Sequence, residues 1–214
     1  MDSISGLASW GLLAGWIGLS LVMAAGFAAL TKRWVLTAVW VGGIGGAAAL
    51  GLFDGFVPPR LMLVLVPGLV GLSVLAWRSD WHRRPLELLV GFQAFRIAVE
   101  LLIHASVSQG IAPPQMTWDG MNLDIVSGML ALVMGPFATR LPRWSLHLFN
   151  VVGAGLLFNV VTVAVLSMPT PLQVFEPDNV WIAAFPFAWL PTVHVMLAWL
   201  GHLLLFKRLR EDAE

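Results

Sequence analysis

The sequence predicts an all-α integral membrane protein, a bundle of seven transmembrane helices with the N-terminus outside and the C-terminus cytoplasmic. Three observations predict it. Of 214 residues, 58% are hydrophobic and only 11% are charged, whereas a soluble domain carries about 25% charged residues. The apolar residues fall in long runs of about the 20 residues that cross a hydrocarbon core. Finally, Lys and Arg gather in alternate connections between those runs.

The first run is the uncharged stretch between Asp2 and Lys32. It is too long for the apolar core of a signal peptide and lacks a basic leader, so it reads as an uncleaved transmembrane helix. Six further spans are expected at about 34–53, 61–77, 86–107, 123–140, 144–168 and 180–206. The third is short, and Gly135-Pro136 interrupts the fifth. No soluble domain, long linker or internal repeat interrupts the pattern, so residues 1–214 read as a single transmembrane domain.

With seven spans, Lys32, Arg33, Arg78, Arg83, Arg84, Arg140, Arg143, Lys207, Arg208 and Arg210 fall on one side. Arg60 alone falls on the other, and Arg96 lies within a span. Basic residues favour the cytoplasmic side, which sets the orientation and, with it, the number of spans. Tryptophan follows the same frame. Trp34, Trp77, Trp81 and Trp144 fall at cytoplasmic helix ends, and Trp10, Trp118 and Trp181 near outer ends. An indole prefers that depth because its ring is apolar and its N–H needs a polar partner. Trp16, Trp40, Trp189 and Trp199 read instead as apolar filling.

Several classes are excluded. Hydrophobicity excludes disorder, zero net charge offers nothing to nucleic acid, and the absence of cysteine removes thiol chemistry, cysteine-held clusters and c-type haem. A retinal Schiff base needs a lysine deep in the last helix, but Lys32 and Lys207 both lie at the cytoplasmic boundary. No His-Glu-x-x-His or Gly-x-Ser-x-Gly pattern is present, and no Walker or dinucleotide glycine pattern follows a strand, because no strand is expected.

Polar residues inside hydrocarbon are costly, so their positions carry the functional information. Gln93, Arg96, Glu100 and His104 recur at steps of three or four and share one helical face, which must look into the bundle. Arg96 and Glu100, four apart, are expected to neutralise one another. That pair reads either as a packing clip or as part of a ligand, ion or proton site, with Glu100 and His104 the acid–base candidates. In the following outer loop, Asp119-Gly120 reads as a turn. Asn122 and Asp124 read either as caps of the next helix or as groups closing over the polar face of the fourth span.

In the sixth span Asn159 and Thr162 reach the depth of Arg96 and Glu100, while Asn150 points to the opposite face and is set apart from that site. Hydrogen bonding between helices is the alternative role for these groups. The outer loop from Pro169 to Asn179 reads as a stiff lid across the bundle mouth. In the seventh span Pro186 and Pro191 free backbone carbonyls near mid-membrane, and His194 follows as a ligand or a hydrogen-bonded core histidine. His147 and His202 form a candidate bis-histidine pair for haem or metal, whereas His82 beside Arg83 and Arg84 is interfacial charge. The small-residue faces Gly11/Gly15 and Gly42/Gly46 suit close packing within the chain or a homodimer seam.

One stretch has a wider resemblance. Glu100-x-x-x-His104, then Pro114-x-Met116-Thr117-Trp118-x-Gly120-x-Asn122-x-Asp124-Ile125-x-x-Gly128, resembles a family of small uncharacterised bacterial polytopic inner-membrane proteins. Asn159-x-x-Thr162 to Pro169-Thr170-Pro171, and Phe185-Pro186-Phe187-x-Trp189-Leu190-Pro191, are similar to it too, so the likeness covers about 86–206. The resemblance implies a multi-pass protein of the bacterial inner (plasma) membrane and no particular activity.

The leading expectation is a protein that binds or transports a small ligand or a proton at an outward-facing site. Arg96, Glu100 and His104 would form that site, walled by Gln93, Asn122, Asp124, Asn159, Thr162 and His194. The alternatives are a membrane-embedded enzyme acting on a lipid-borne substrate, with Asp124, His104 and His194 a conceivable metal set, and a structural or accessory subunit. Besides the lipid bilayer, a small molecule or proton and a second copy of the chain are the expected partners, and no nucleic acid.

Overall fold

A computed structural model describes residues 4–56 and 59–211. Asp2, which opens the first uncharged run, lies outside the described residues. These residues are all helical apart from turns and a single bridge between Phe56 and Pro59.

After one helical turn at Ile4–Leu7, α1 runs Trp10–Thr31. The Ser9 hydroxyl accepts from Leu12 N–H at its start, and Lys32 ends it in the left-handed region at φ 60°. α2 is Trp34–Ala49 and α3 is Met62–Trp77, with Pro67 inside it. α4, Leu86–Gly91, passes through a tight 3-10 turn at Phe92–Ala94 into α5, Phe95–Ser108. α6, Ile125–Met134, gives way to a 3-10 segment, Gly135–Arg140, because Pro136 has no N–H to continue an α-helix. α7 is Arg143–Leu166. A π-helical segment, Leu190–Val195, opens α8, Met196–Glu211.

Three of these are long and apolar enough to cross a membrane: Trp10–Thr31, Arg143–Leu166 and Leu190–Glu211. Trp34–Ala49, Met62–Trp77 and Ile125–Arg140 are apolar but shorter. At 1.5 Å per residue, a 16-residue helix such as α2 or α3 is about 24 Å long, less than the ~30 Å hydrocarbon core. The last span differs from its expected bounds. Residues 180–189 form a 3-10 turn, Trp181–Ala183, and an irregular stretch, so the helix begins at Leu190. Pro186 precedes the helix, and Pro191 sits in its first turn, where no N–H is missed.

The last helix is the central pillar. Of its apolar window 72% is buried, against 33% for α1 and α7, and it packs on α3, α4 and α7. Glycine permits the closest approaches. A Cβ on Gly135 would lie 2.6 Å from Gly91 Cα, so α4 and the end of α6 touch backbone to backbone. Gly15 of α1 lies against Leu102 of α5, so that glycine serves packing within the chain, whereas Gly11, Gly42 and Gly46 face open space.

The exterior is apolar. Phe158 is 74% exposed, Trp144 68% and Val35 79%, a surface that a soluble domain does not present over such a length. Inside, Trp16, Trp181 and Phe187 meet ring to ring at 5.1–6.2 Å. Trp181 is therefore a fully buried core residue rather than the interfacial anchor expected. Basic residues gather at one end of the bundle, where they meet helix carbonyls. Arg84 donates to Leu30 O at 2.8 Å, Lys207 to Trp77 O at 2.9 Å, and Arg143 to Leu209 O at 3.5 Å. Cations there answer the negative ends of α1, α3 and α8.

Candidate functional site

The polar face of α5 turns inward as its spacing requires. Gln93, Arg96 and Glu100 are each 1–2% exposed. Gln93 donates to Ala198 O at 3.0 Å, an approach that Gly201 allows because a Cβ there would meet the amide.

Arg96 does not pair with Glu100. Its guanidinium grips Asp124 with two parallel N–H donors, Nε to Oδ2 at 2.6 Å and Nη2 to Oδ1. Nη2 also donates to Gly153 O at 3.3 Å, and Nη1 meets His202 Nε2 at 2.8 Å. A guanidinium has no acceptor, so His202 accepts through Nε2 and carries its proton on Nδ1, which donates to Asn150 Oδ1 at 2.9 Å. Arg96, Asp124, His202 and Asn150 thus form one buried chain across α5, α6, α7 and α8. The fork-on-fork geometry explains the exchange of partners: a planar pair satisfies both oxygens, which a neighbour one turn away on the same helix is badly placed to do.

Glu100 is held by an amide instead. Asn122 Nδ2 lies 2.9 Å from both of its carboxylate oxygens and 2.9 Å from Met116 O. Asn122 Oδ1 accepts from Asp124 N at 2.9 Å. No ion pair among the described residues includes Glu100. Asp124 stands at the start of α6 but makes no side-chain cap bond; its carboxylate turns to Arg96 instead. The loop presenting Asn122 doubles back so tightly at Gly120 that a Cβ would lie 2.5 Å from Pro114 O.

The loops at 109–124 and 167–180 are joined above this cluster. Gln115 donates to Ser167 Oγ at 3.1 Å and to Pro177 O at 2.7 Å, and Asn179 to Ala164 O at 3.0 Å. The second loop therefore lies on the first.

Beneath them is a cavity of about 70 Å³ bordered by Arg96, Glu100, Asp124 and His194, with apolar walls from α3, α7 and α8. Such a space takes a few waters and is well short of the ~300 Å³ typical of small-molecule sites. His194 reaches it from the π-helical segment while its Nε2 meets Ser20 Oγ at 2.9 Å and its ring lies 5.9 Å from that of Trp16.

Other expected members stand elsewhere. His104 is half-exposed, stacks on Trp118 at 4.4 Å and lies 3.7 Å from Asp119, so it makes no acid–base couple with Glu100. Its side chain is 45% exposed, although Ile103 and Ser106 beside it on the same helix stay buried. Asn159 donates to Met121 O at 2.8 Å, and Thr162 to Phe158 O of its own helix. Both serve the backbone and neither walls the cavity. His147 is exposed while His202 is buried against Arg96, which removes the bis-histidine pair. Among the described residues no three His, Asp or Glu side chains are grouped to hold a metal, so Asp124, His104 and His194 are not a ligand set.

Asn150 and His202 are the members that sequence reasoning missed. Asn150 lies opposite Asn159 on α7, as the spacing predicts, but it is not set apart: its face is the one that joins the Arg96 cluster, through His202. The signal lay in spacing: Asn150 and Gly153, three apart, put an acceptor and a clearance for the His202 ring on one face, since a Cβ on Gly153 would lie 2.5 Å from His202 Cε1.

Comparison with models of known protein families, with curated proteins and with solved structures returns no match.

Proposed function

We propose that this is a seven-span protein of a bacterial inner membrane, N-terminus outside, whose outer-half cavity takes up and passes a proton through Glu100. The carrying observation is the inequality between two neighbouring carboxylates. Asp124 is matched by a guanidinium on both oxygens, whereas Glu100, equally buried, has only the amide of Asn122 and borders a water-sized cavity. A buried carboxylate without a cation is the group for which gaining a proton removes the largest cost. Arg96, Asp124, His202 and Asn150 serve as the frame that holds the cavity open. His194, bordering the same cavity, is the next group in line.

The cavity's size favours a proton over an organic ligand. The gathering of basic residues at one bundle end supports the orientation, and the apolar exterior supports the bilayer as its solvent.

Reconstitution into liposomes with an internal pH dye tests the reading. With an imposed pH gradient, the wild-type chain is expected to move protons and Glu100→Gln to lose that flux by about tenfold or more, while still purifying as a folded species. Equal flux in Glu100→Gln and wild type overturns it. A folded Glu100→Gln protein with no wild-type flux to lose favours a purely structural role for the whole cluster.

A further inference from the structure

A second cavity, at the basic end of the bundle, has a different character. It measures about 400 Å³ and lies among the C-terminal half of α1, the N-terminal half of α2, α3 and the π-to-α junction of α8. From Gly68 to Leu75 its α3 wall spans eight residues, about 10 Å of helix. Its walls are apolar, and among the described residues no acidic side chain borders it. Arg33 stands at its mouth, exposed, with its guanidinium carbon 6.0 Å from the ring centroid of Trp81. Lys32 precedes it, and Arg84 is tied to the end of α1 beside it. Trp40 fixes the inner wall: its indole donates to Thr192 O at 2.9 Å, and its ring lies over Gly68, where a Cβ would be 2.5 Å away.

We propose that this cavity is a binding site for an anionic phospholipid, with one acyl chain between α2 and α3 and the headgroup phosphate at Arg33. An apolar slot about 10 Å deep suits the first methylenes of a chain. A rim that carries Arg33 and, among the described residues, no carboxylate selects headgroups of net negative charge, as basic pockets at the cytoplasmic side of membrane helices do. The inference rests on the membrane reading above, but not on the proton reading, since none of these residues borders the Glu100 cavity.

Gly71 supplies a sharp test. It lines the cavity, and a Cβ there meets nothing within 4 Å, so a Gly71→Leu side chain starts in open space and narrows the slot. The protein is taken from nanodiscs of equal phosphatidylglycerol and phosphatidylethanolamine, and its retained lipids are counted by native mass spectrometry. The wild type is expected to keep one phosphatidylglycerol in preference to phosphatidylethanolamine by about fivefold, the worth of one basic residue at an anionic surface. Gly71→Leu should lose that lipid, and Arg33→Gln should bind without preference. No preference in the wild type, undiminished retention in Gly71→Leu, or an unchanged preference in Arg33→Gln each overturns the proposal. Extraction of each variant from washed membranes only by detergent confirms insertion; failure there counts against the membrane reading instead. Should Gly71→Leu not insert, Arg33→Gln decides alone.

Discussion

Arg96 on α5 and Asp124 at the start of α6 hold each other by a two-pronged ion pair in the protein interior, 28 residues apart in sequence. Removing either partner strands a charge in a site 2–5% exposed. Arg96→Met and Asp124→Asn are each expected to destabilise the protein by about 3–5 kcal/mol, read as a fall in Tm in detergent. The double variant Arg96→Met/Asp124→Leu should recover most of that loss, because no unpaired charge remains. An unchanged Tm in either single variant would contradict the pairing.

Asn122 and Asn159 provide a graded comparison. Asn122 holds Glu100, Met116 O and the Asp124 backbone, so Asn122→Ala leaves buried groups unsatisfied and should cost about 1–3 kcal/mol. Asn159 makes one bond, to Met121 O at a more open site, and Asn159→Ala should cost about 1 kcal/mol or less. Thermal unfolding of the two variants side by side decides the order, and a reversed order would return Asn159 to the site.

Two glycines on α7 should respond oppositely to alanine. At Gly153 the added methyl would enter the His202 ring, moving it off Arg96 and Asn150, for a loss of about 1–3 kcal/mol. At Gly155 it meets nothing within 4 Å, so the helix should gain up to about 1 kcal/mol from lower backbone entropy in the unfolded chain. Equal Tm changes would show that the histidine does not depend on that clearance.

Because the chain has no cysteine, single introduced cysteines report topology without background. Leu172 lies in the loop that follows α7 and is 66% exposed, and Asp80 lies in a connection at the basic end with its side chain 79% exposed. In intact spheroplasts a membrane-impermeant maleimide should label Leu172→Cys and leave Asp80→Cys unmodified until the cells are broken. The opposite pattern would reverse the orientation.

What could be read from the sequence follows from period and cost. An apolar composition with so few charges dictates helices that satisfy their own backbone and an apolar exterior, and the three-to-four spacing of Gln93, Arg96 and Glu100 dictates that they share the inward face. The same spacing misleads at His104, because periodicity reports direction around a helix and not which neighbour meets the side chain there: Trp118 stacks on the ring and leaves it 45% exposed, while Ser106 just beyond is fully buried. Trp181 shows the converse: at a span end by count, it is buried because the chain folds back there before α8 begins.

Partnership was decided in three dimensions. Arg96 lies four residues from Glu100 and 28 from Asp124, yet the distant carboxylate takes it, since a loop can aim a carboxylate squarely at the guanidinium fork while helix geometry holds Glu100 at a fixed offset. His202 and Asn150 enter the cluster through helices 52 residues apart in the chain, brought together by a glycine gap. Local sequence specifies which faces seek an interior; which side chains meet there depends on helix packing, loop closure and clearances that no one segment contains.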